Sequence, residues 1–233
     1  FLYALLLCSI ALQAIALNGN KFLFTALIVG AIFNFEHSIF SYGRRYAWSY
    51  LLLTLGLSLG FAFLNSWTSW PYGEIKYSKS YYICLVPLIW LNISHPVLVM
   101  SRRLSKTWTF LIGAIGVSAW ALTIDPIMVR QNLWKWKFKG STVPWQTHIP
   151  ISNIFGWLLT SLTVMALLNL LLPKERRKIG VNNLPVDIFL GWALFLNLIG
   201  NILIGHQGTA LISGLPFLFL LIPYFFSRWF GQP

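Results

Sequence analysis

Apolar residues run through this chain in long blocks, and polar residues fall between them at intervals that suit a bilayer. A helix needs about 20 apolar residues to cross the hydrocarbon. Eight blocks approach or reach that length: Phe1 to about Leu17, Phe22 to about Tyr42, about Trp48 to Leu64, Tyr81 to Met100, Trp108 to Ile124, Ile151 to Leu172, about Val186 to Ile204, and Thr209 to Phe226. Short polar punctuation separates most of them: Asn18-Gly19-Asn20, Gly43-Arg44-Arg45, Ser101-Arg102-Arg103 and the basic run Lys174 to Lys178. Two longer connections, Asn65 to Ser80 and Asp125 to Pro150, contain no such block. The pattern predicts an all-α, polytopic transmembrane helix bundle of about 7–8 spans. No fixed-period repeat or low-complexity tract divides it, so residues 1–233 read as a single transmembrane helical domain. His95-Pro96 is expected to interrupt the fourth span, because proline removes a helix hydrogen bond. Asp125-Pro126 is expected to end the fifth, since Asp-Pro is a common turn.

Composition sharpens the membrane reading. Hydrophobic residues make up 57% of the chain and charged residues 9%, against roughly 25% charged in soluble domains, and the mean hydropathy is +0.69. That balance excludes a cytosolic enzyme, a secreted disulfide scaffold and a disordered tail. Cys8 and Cys84 lie in apolar runs and form no CxxC, so two buried thiols are expected.

The net charge of +12 would suggest nucleic acid in a soluble protein. In a membrane chain it reads as loop charges against anionic headgroups, so the expected partner is the lipid bilayer, with no nucleic acid. With eight spans, the side holding the N-terminus carries ten basic residues in tight clusters and the other side seven. Both termini are therefore predicted cytoplasmic.

The chain has five acids, few enough to weigh singly. Glu175 sits in the basic run and reads as a solvated loop charge. Asp187 opens the seventh span, where a carboxylate suits the positive end of a helix dipole. Glu36 lies inside a span, with His37, Arg44 and Arg45 as candidate ion-pair partners or as part of a site. Glu74 and Asp125 occupy the two long connections, on the same side of the membrane. The histidines (His37, His95, His148 and His206) never occur as HxxxH or HxxE, so no metal site is expected. No phosphate-binding loop or nucleophile elbow is present.

Many of the 12 tryptophans sit where an interfacial aromatic belt would place them. Between Asp125 and Trp157 they are denser than anchoring requires. A carboxylate, aromatic faces, and Ser152 and Asn153 at a helix start would together suit a long hydrophobic ligand.

These same residues carry a resemblance. Asp125-Pro126-Ile-Met, then Leu133-Trp134-Lys-Trp136, then Ile149-Pro150-Ile-Ser152-Asn153-Ile-Phe155-Gly156-Trp157 resemble the CruF-type carotenoid biosynthesis family, which reads approximately DP-x-M, G-x-W-x-W and G-I-P-x-x-N-x-x-G-W. Upstream, Trp70-Pro71-Tyr72-Gly73-Glu74-Ile-Lys-Tyr77 resembles its P-F-G-x-Y-x-Y element, and Val86-Pro87 to Trp90 a later Pro…Trp run. The likeness covers about residues 65–172, in conserved order.

The resemblance implies an integral membrane protein that hydrates the terminal double bond of an acyclic carotenoid. Protonation of a trisubstituted alkene gives a tertiary cation, to which water adds. A carboxylic acid would supply the proton and aromatic faces would support the cation. On this reading Asp125 and Glu74 are the catalytic candidates. Tyr72, Tyr77, Trp134, Trp136, Asn153 and Trp157 line the substrate site, and no cofactor is needed for catalysis.

The chain departs from the family pattern at Ala62 and Ala121, where the family carries carboxylates. That departure supports a different class of function: a non-catalytic subunit that binds carotenoid or chlorophyll within a larger, photosynthetic membrane complex, with His95 and His37 as candidate pigment ligands. A transporter or channel is a third class, disfavoured by the lack of repeats and of mid-bilayer charges.

Overall fold

Among the described residues, seven helices are long and apolar enough to cross a membrane. The computed structural model describes residues 1–17, 19–174, 182–203 and 205–231. Most of the basic run, Glu175 included, lies outside the described residues, as does Asn18 of the first turn.

The spans are α2 (Leu23–Tyr42), α3 (Arg44–Thr68), α4 (Leu85–Leu104), α5 (Thr109–Arg130), α6 (Ile151–Leu171), α7 (Leu184–Leu203) and α8 (Gln207–Trp229). The first expected span is a 15-residue helix, α1 (Leu2–Ala16), packed against α2. At 1.5 Å per residue it reaches about 22 Å, less than the roughly 30 Å of hydrocarbon. Gly43 alone joins α2 to α3. Its φ of 93° turns the chain in a single residue, which a side chain would strain.

Both proline expectations are corrected. Pro96 lies inside α4 and Pro126 inside α5, and neither helix stops there. A proline leaves the carbonyl four residues earlier without its donor. For Pro96 that carbonyl belongs to Asn92, and the Asn34 amide of α2 donates to it at 2.9 Å. For Pro126 it belongs to Leu122, and the Gln146 amide donates to it at 2.8 Å. Neighbouring side chains thus re-satisfy the freed groups, as lipid requires. Asp125 is consequently a residue of the helix, not of a loop.

Further differences from expectation are smaller. Cys8 and Cys84 are exposed, not buried. Asp187 occupies the first turn of α7 as expected, and also accepts a 2.6 Å hydrogen bond from Tyr224 and pairs with Arg228 at 3.3 Å. Glu36 is half-buried and, among the described residues, forms no ion pair with Arg44 or Arg45.

Where α3, α5 and α7 end and α4, α6 and α8 begin, short strands cover the bundle. β1 (Glu74–Tyr77) pairs antiparallel with β2 (Trp134–Lys137), and β3 (Thr142–Val143) with β4 (Gln146–Pro150). β1 comes from one long connection and β2 from the other, so their pairing ties the two together.

Candidate functional site

Asp125 is 2% exposed near the end of α5. Its Oδ2 accepts two hydrogen bonds, from Asn153 Nδ2 at 2.5 Å and from Trp157 Nε1 at 2.8 Å. Asn153 and Trp157 are four residues apart, so α6 presents both on one face. The Trp157 ring stacks on Trp90 of α4, with centroids 5.2 Å apart, and meets Tyr72 at 5.6 Å. The carboxyl is therefore gripped by groups that are themselves packed in place.

The loop before β1 is fixed just as closely. Asn65, in the last turn of α3, accepts from the Tyr72 amide at 2.9 Å and donates to the Gly73 carbonyl at 3.0 Å. Tyr72 reaches across to donate to Thr160 Oγ1 at 3.0 Å. Gly156 permits this approach: a Cβ there would lie 2.7 Å from the Tyr72 ring and 2.8 Å from the Pro71 carbonyl. Burial, chiefly, pushes the Tyr72 and Tyr77 hydroxyls above the usual tyrosine range, and the charge of Asp125 adds to it. Both therefore stay protonated.

The β1–β2 ribbon closes the site, and strand parity decides what faces inward. Ile75 pairs with Trp136 and Tyr77 with Trp134, while Glu74 pairs with Lys137 and Lys76 with Lys135. Successive side chains of a strand point to opposite faces. Ile75, Tyr77, Trp134 and Trp136 accordingly line a slot beside Asp125. Glu74 lies on the other face, its side chain 42% exposed and 3.4 Å from Lys137 Nζ. The geometry thus separates the two catalytic candidates, leaving Asp125 in the slot and Glu74 outside it.

The slot collects every residue expected to bind substrate: Tyr72, Tyr77, Trp134, Trp136, Asn153 and Trp157 all line it with Asp125. Sequence reasoning missed Asn65, Ile75, Val86 and Ile89, which share its walls. The alternation of Trp134-Lys-Trp136-Lys was a signal that would have found Ile75 as its partner. Ala62, one of the two positions that depart from the family pattern, is also on the wall. The water-accessible space is about 20 Å³, room for about one water molecule. Three buried polar atoms of the lining residues have no protein partner among the described residues: Trp134 Nε1, Trp136 Nε1 and Asn153 Oδ1. Two donors and one acceptor suit a water or a hydroxyl held near the carboxyl.

The candidate pigment ligands are placed elsewhere. His37 and His95 are both fully buried, and His37 Nδ1 lies 3.0 Å from His95 Nε2. Ser41 Oγ approaches the remaining nitrogen of His37 at 3.4 Å, and Tyr46 OH that of His95 at 3.3 Å. All four ring nitrogens thus have protein partners. Among the described residues no three His, Cys, Asp or Glu side chains are grouped to hold a metal ion.

Comparison with curated proteins and with solved structures gives no match. A family described as carotenoid biosynthesis protein matches residues 22–221, a stretch that contains every wall of the Asp125 slot. The chain belongs to that carotenoid biosynthesis family.

Proposed function

We propose that the protein adds water across a terminal double bond of an acyclic carotenoid, with Asp125 as the proton donor. One observation carries the reading: a lone carboxyl, held through Oδ2 by Asn153 and Trp157, borders a slot walled by aromatic rings. With Oδ2 already accepting two hydrogen bonds, a proton on this carboxyl resides on Oδ1. It passes to the less substituted alkene carbon, and the π electrons form the new C–H bond. The tertiary cation left behind is supported by the faces of the surrounding indoles. The oxygen of a water in the slot then forms the C–O bond, and its surplus proton returns to Asp125. Charge and atoms balance without an oxidant or reductant. The clustered basic loops of the other side, Arg44 and Arg45 and Arg102 to Lys106, support a non-cytoplasmic interface for this chemistry.

Expression in a host that accumulates lycopene tests the reading. The expected product is a carotenoid heavier by one water, absent when Asp125→Asn replaces the wild type. Folded wild-type protein in the membrane with no hydroxylated carotenoid would overturn it.

A second reading has its own support. Ala62 stands on the slot wall, and Ala121 lies one turn before Asp125 on α5, so the slot holds one carboxylate. Paired acids usually divide proton donation and acceptance. A chain reduced to one would bind carotenoid without converting it. Protein purified with unmodified carotenoid bound, and yielding no hydrated product, would favour this reading.

A further inference from the structure

On the outer side of the β1–β2 ribbon lies a second concavity of different chemistry. It has two adjoining lobes, of about 510 and 610 Å³, that share Arg130 and His148. One lobe adds His206 and Trp145, the other Lys135 and Phe138. Each lobe is within the usual size range of a ligand site. Four cationic or protonatable side chains converge there from four separate places: the end of α5, β2, β4 and the turn before α8. No Asp or Glu lines either lobe.

The plain alternative is that these are scattered interfacial charges, with Arg130 serving the C-terminal carbonyls of α5. Two features argue for more. Arg130 and His148 line both lobes, joined by His206 in one and by Lys135 in the other. His206 is also anchored: its amide donates to the Asn201 carbonyl at 2.7 Å, and its carbonyl accepts from Ala210 at 3.1 Å. Its side chain lines the same lobe as Arg130, and burial first, then the charge of Arg130, pushes the imidazole below its usual range. The cations Arg130 and Lys135, with no carboxylate on the lining, are complementary to an anion, whose arrival would also favour a proton on His206. Arginine beside protonatable imidazoles, with indole at the rim, matches a phosphate group at the membrane surface.

We propose that this cleft binds a phosphate group, from the headgroup of an anionic membrane lipid or from a soluble phosphate. It is distinct from the Asp125 slot but shares a wall with it. Trp136 lines both, and Pro126 of the cleft follows Asp125 directly. An anion drawing β2 and β4 toward α5 would brace the ribbon that closes the slot.

The test uses the full chain in neutral detergent. Thermal unfolding is followed with vesicle-derived phosphatidylcholine alone, with phosphatidylcholine containing one-fifth phosphatidylglycerol, and with inorganic phosphate. Bound lipid is counted by native mass spectrometry. The wild type is expected to retain phosphatidylglycerol over phosphatidylcholine and to unfold at a higher temperature with it. Arg130→Gln is expected to weaken retention about five-fold, as is Lys135→Gln. Both side chains are exposed, so folding should survive either change. Arg45→Gln, exposed at the far end of the bundle, should retain lipid as the wild type does. Stabilisation by inorganic phosphate, lost in Arg130→Gln, would identify the soluble source. Stabilisation by phosphatidylglycerol alone would identify the lipid. No preference for either anion, or undiminished binding by both cleft variants, overturns the proposal.

Discussion

Two clusters of buried polar side chains lie in opposite halves of the bundle, and they solve the cost of burial in different ways. Around His37 and His95, all four ring nitrogens have protein partners, and Tyr50 donates to the Leu91 carbonyl at 2.7 Å. Around Asp125 the carboxyl is well held, but Trp134 Nε1, Trp136 Nε1 and Asn153 Oδ1 are left without partners beside a slot that admits water. An unmade hydrogen bond in a buried site costs about 1–3 kcal/mol. A cluster that closes every bond strengthens the fold, while one that leaves donors open next to space retains capacity for a ligand. Residue type alone would not have separated them, since an intramembrane carboxylate and an intramembrane histidine both flag function.

That contrast is open to direct attack. The largest effect is expected from Asp125→Asn, which keeps shape and removes the exchangeable proton. Hydrated carotenoid should fall by about 10²–10⁴-fold, the usual worth of a general acid, with folded yield preserved. Product formation within ten-fold of wild type would end the claim that Asp125 is the donor.

The opposite pattern is expected at the other cluster. His95→Leu strips partners from His37 and Tyr46 and should cost about 2–4 kcal/mol of stability, read by denaturant or thermal unfolding. Product per folded molecule should be unchanged. A folded but inactive His95→Leu protein would dissolve the distinction between the two clusters.

A finer test is Trp157→Phe. It retains a ring against Trp90 but removes one of the two donors to Oδ2. A drop in product formation of about ten-fold, equivalent to about 1.4 kcal/mol, is expected for losing one hydrogen bond to the carboxylate that forms as the proton leaves. The smallest effect belongs to Glu74→Gln. Its pairing with Lys137 is exposed, and such pairs contribute about 0–1 kcal/mol. Neither hydration nor unfolding temperature should move measurably, and a large loss of product would restore Glu74 to the site.

Much of the bundle was legible along the chain because hydropathy is a local property. The blocks at Ile151–Leu172 and Val186–Ile204 fall within two residues of the observed α6 and α7 ends. The candidate site was partly legible too. Asp125, Asn153 and Trp157 stood out through their setting among tryptophans and through the family resemblance, and they prove to be in direct contact. The outward placement of Glu74 was not legible because a strand turns alternate residues to opposite faces, and no pattern within the segment says which face meets the bundle. The contact between His37 and His95 was not legible because the partner of each imidazole comes from another helix, 58 residues away.

The sequence by itself determined the solvent, the approximate spans, the scarcity of acids and the chemistry on offer near Asp125. Each of these follows from composition or from short-range spacing. Tertiary structure alone decided three further things. The helices continue through Pro96 and Pro126, because Asn34 and Gln146 arrive from other segments to take up the freed carbonyls. The tryptophans of β2 face the carboxyl and the lysines do not, because β1 fixes the register of the ribbon. Polar atoms beside Asp125 are left unmatched among the described residues while the histidine nitrogens are all matched, because hydrogen-bond satisfaction depends on all the neighbours of a group. Most of those neighbours are distant in the chain.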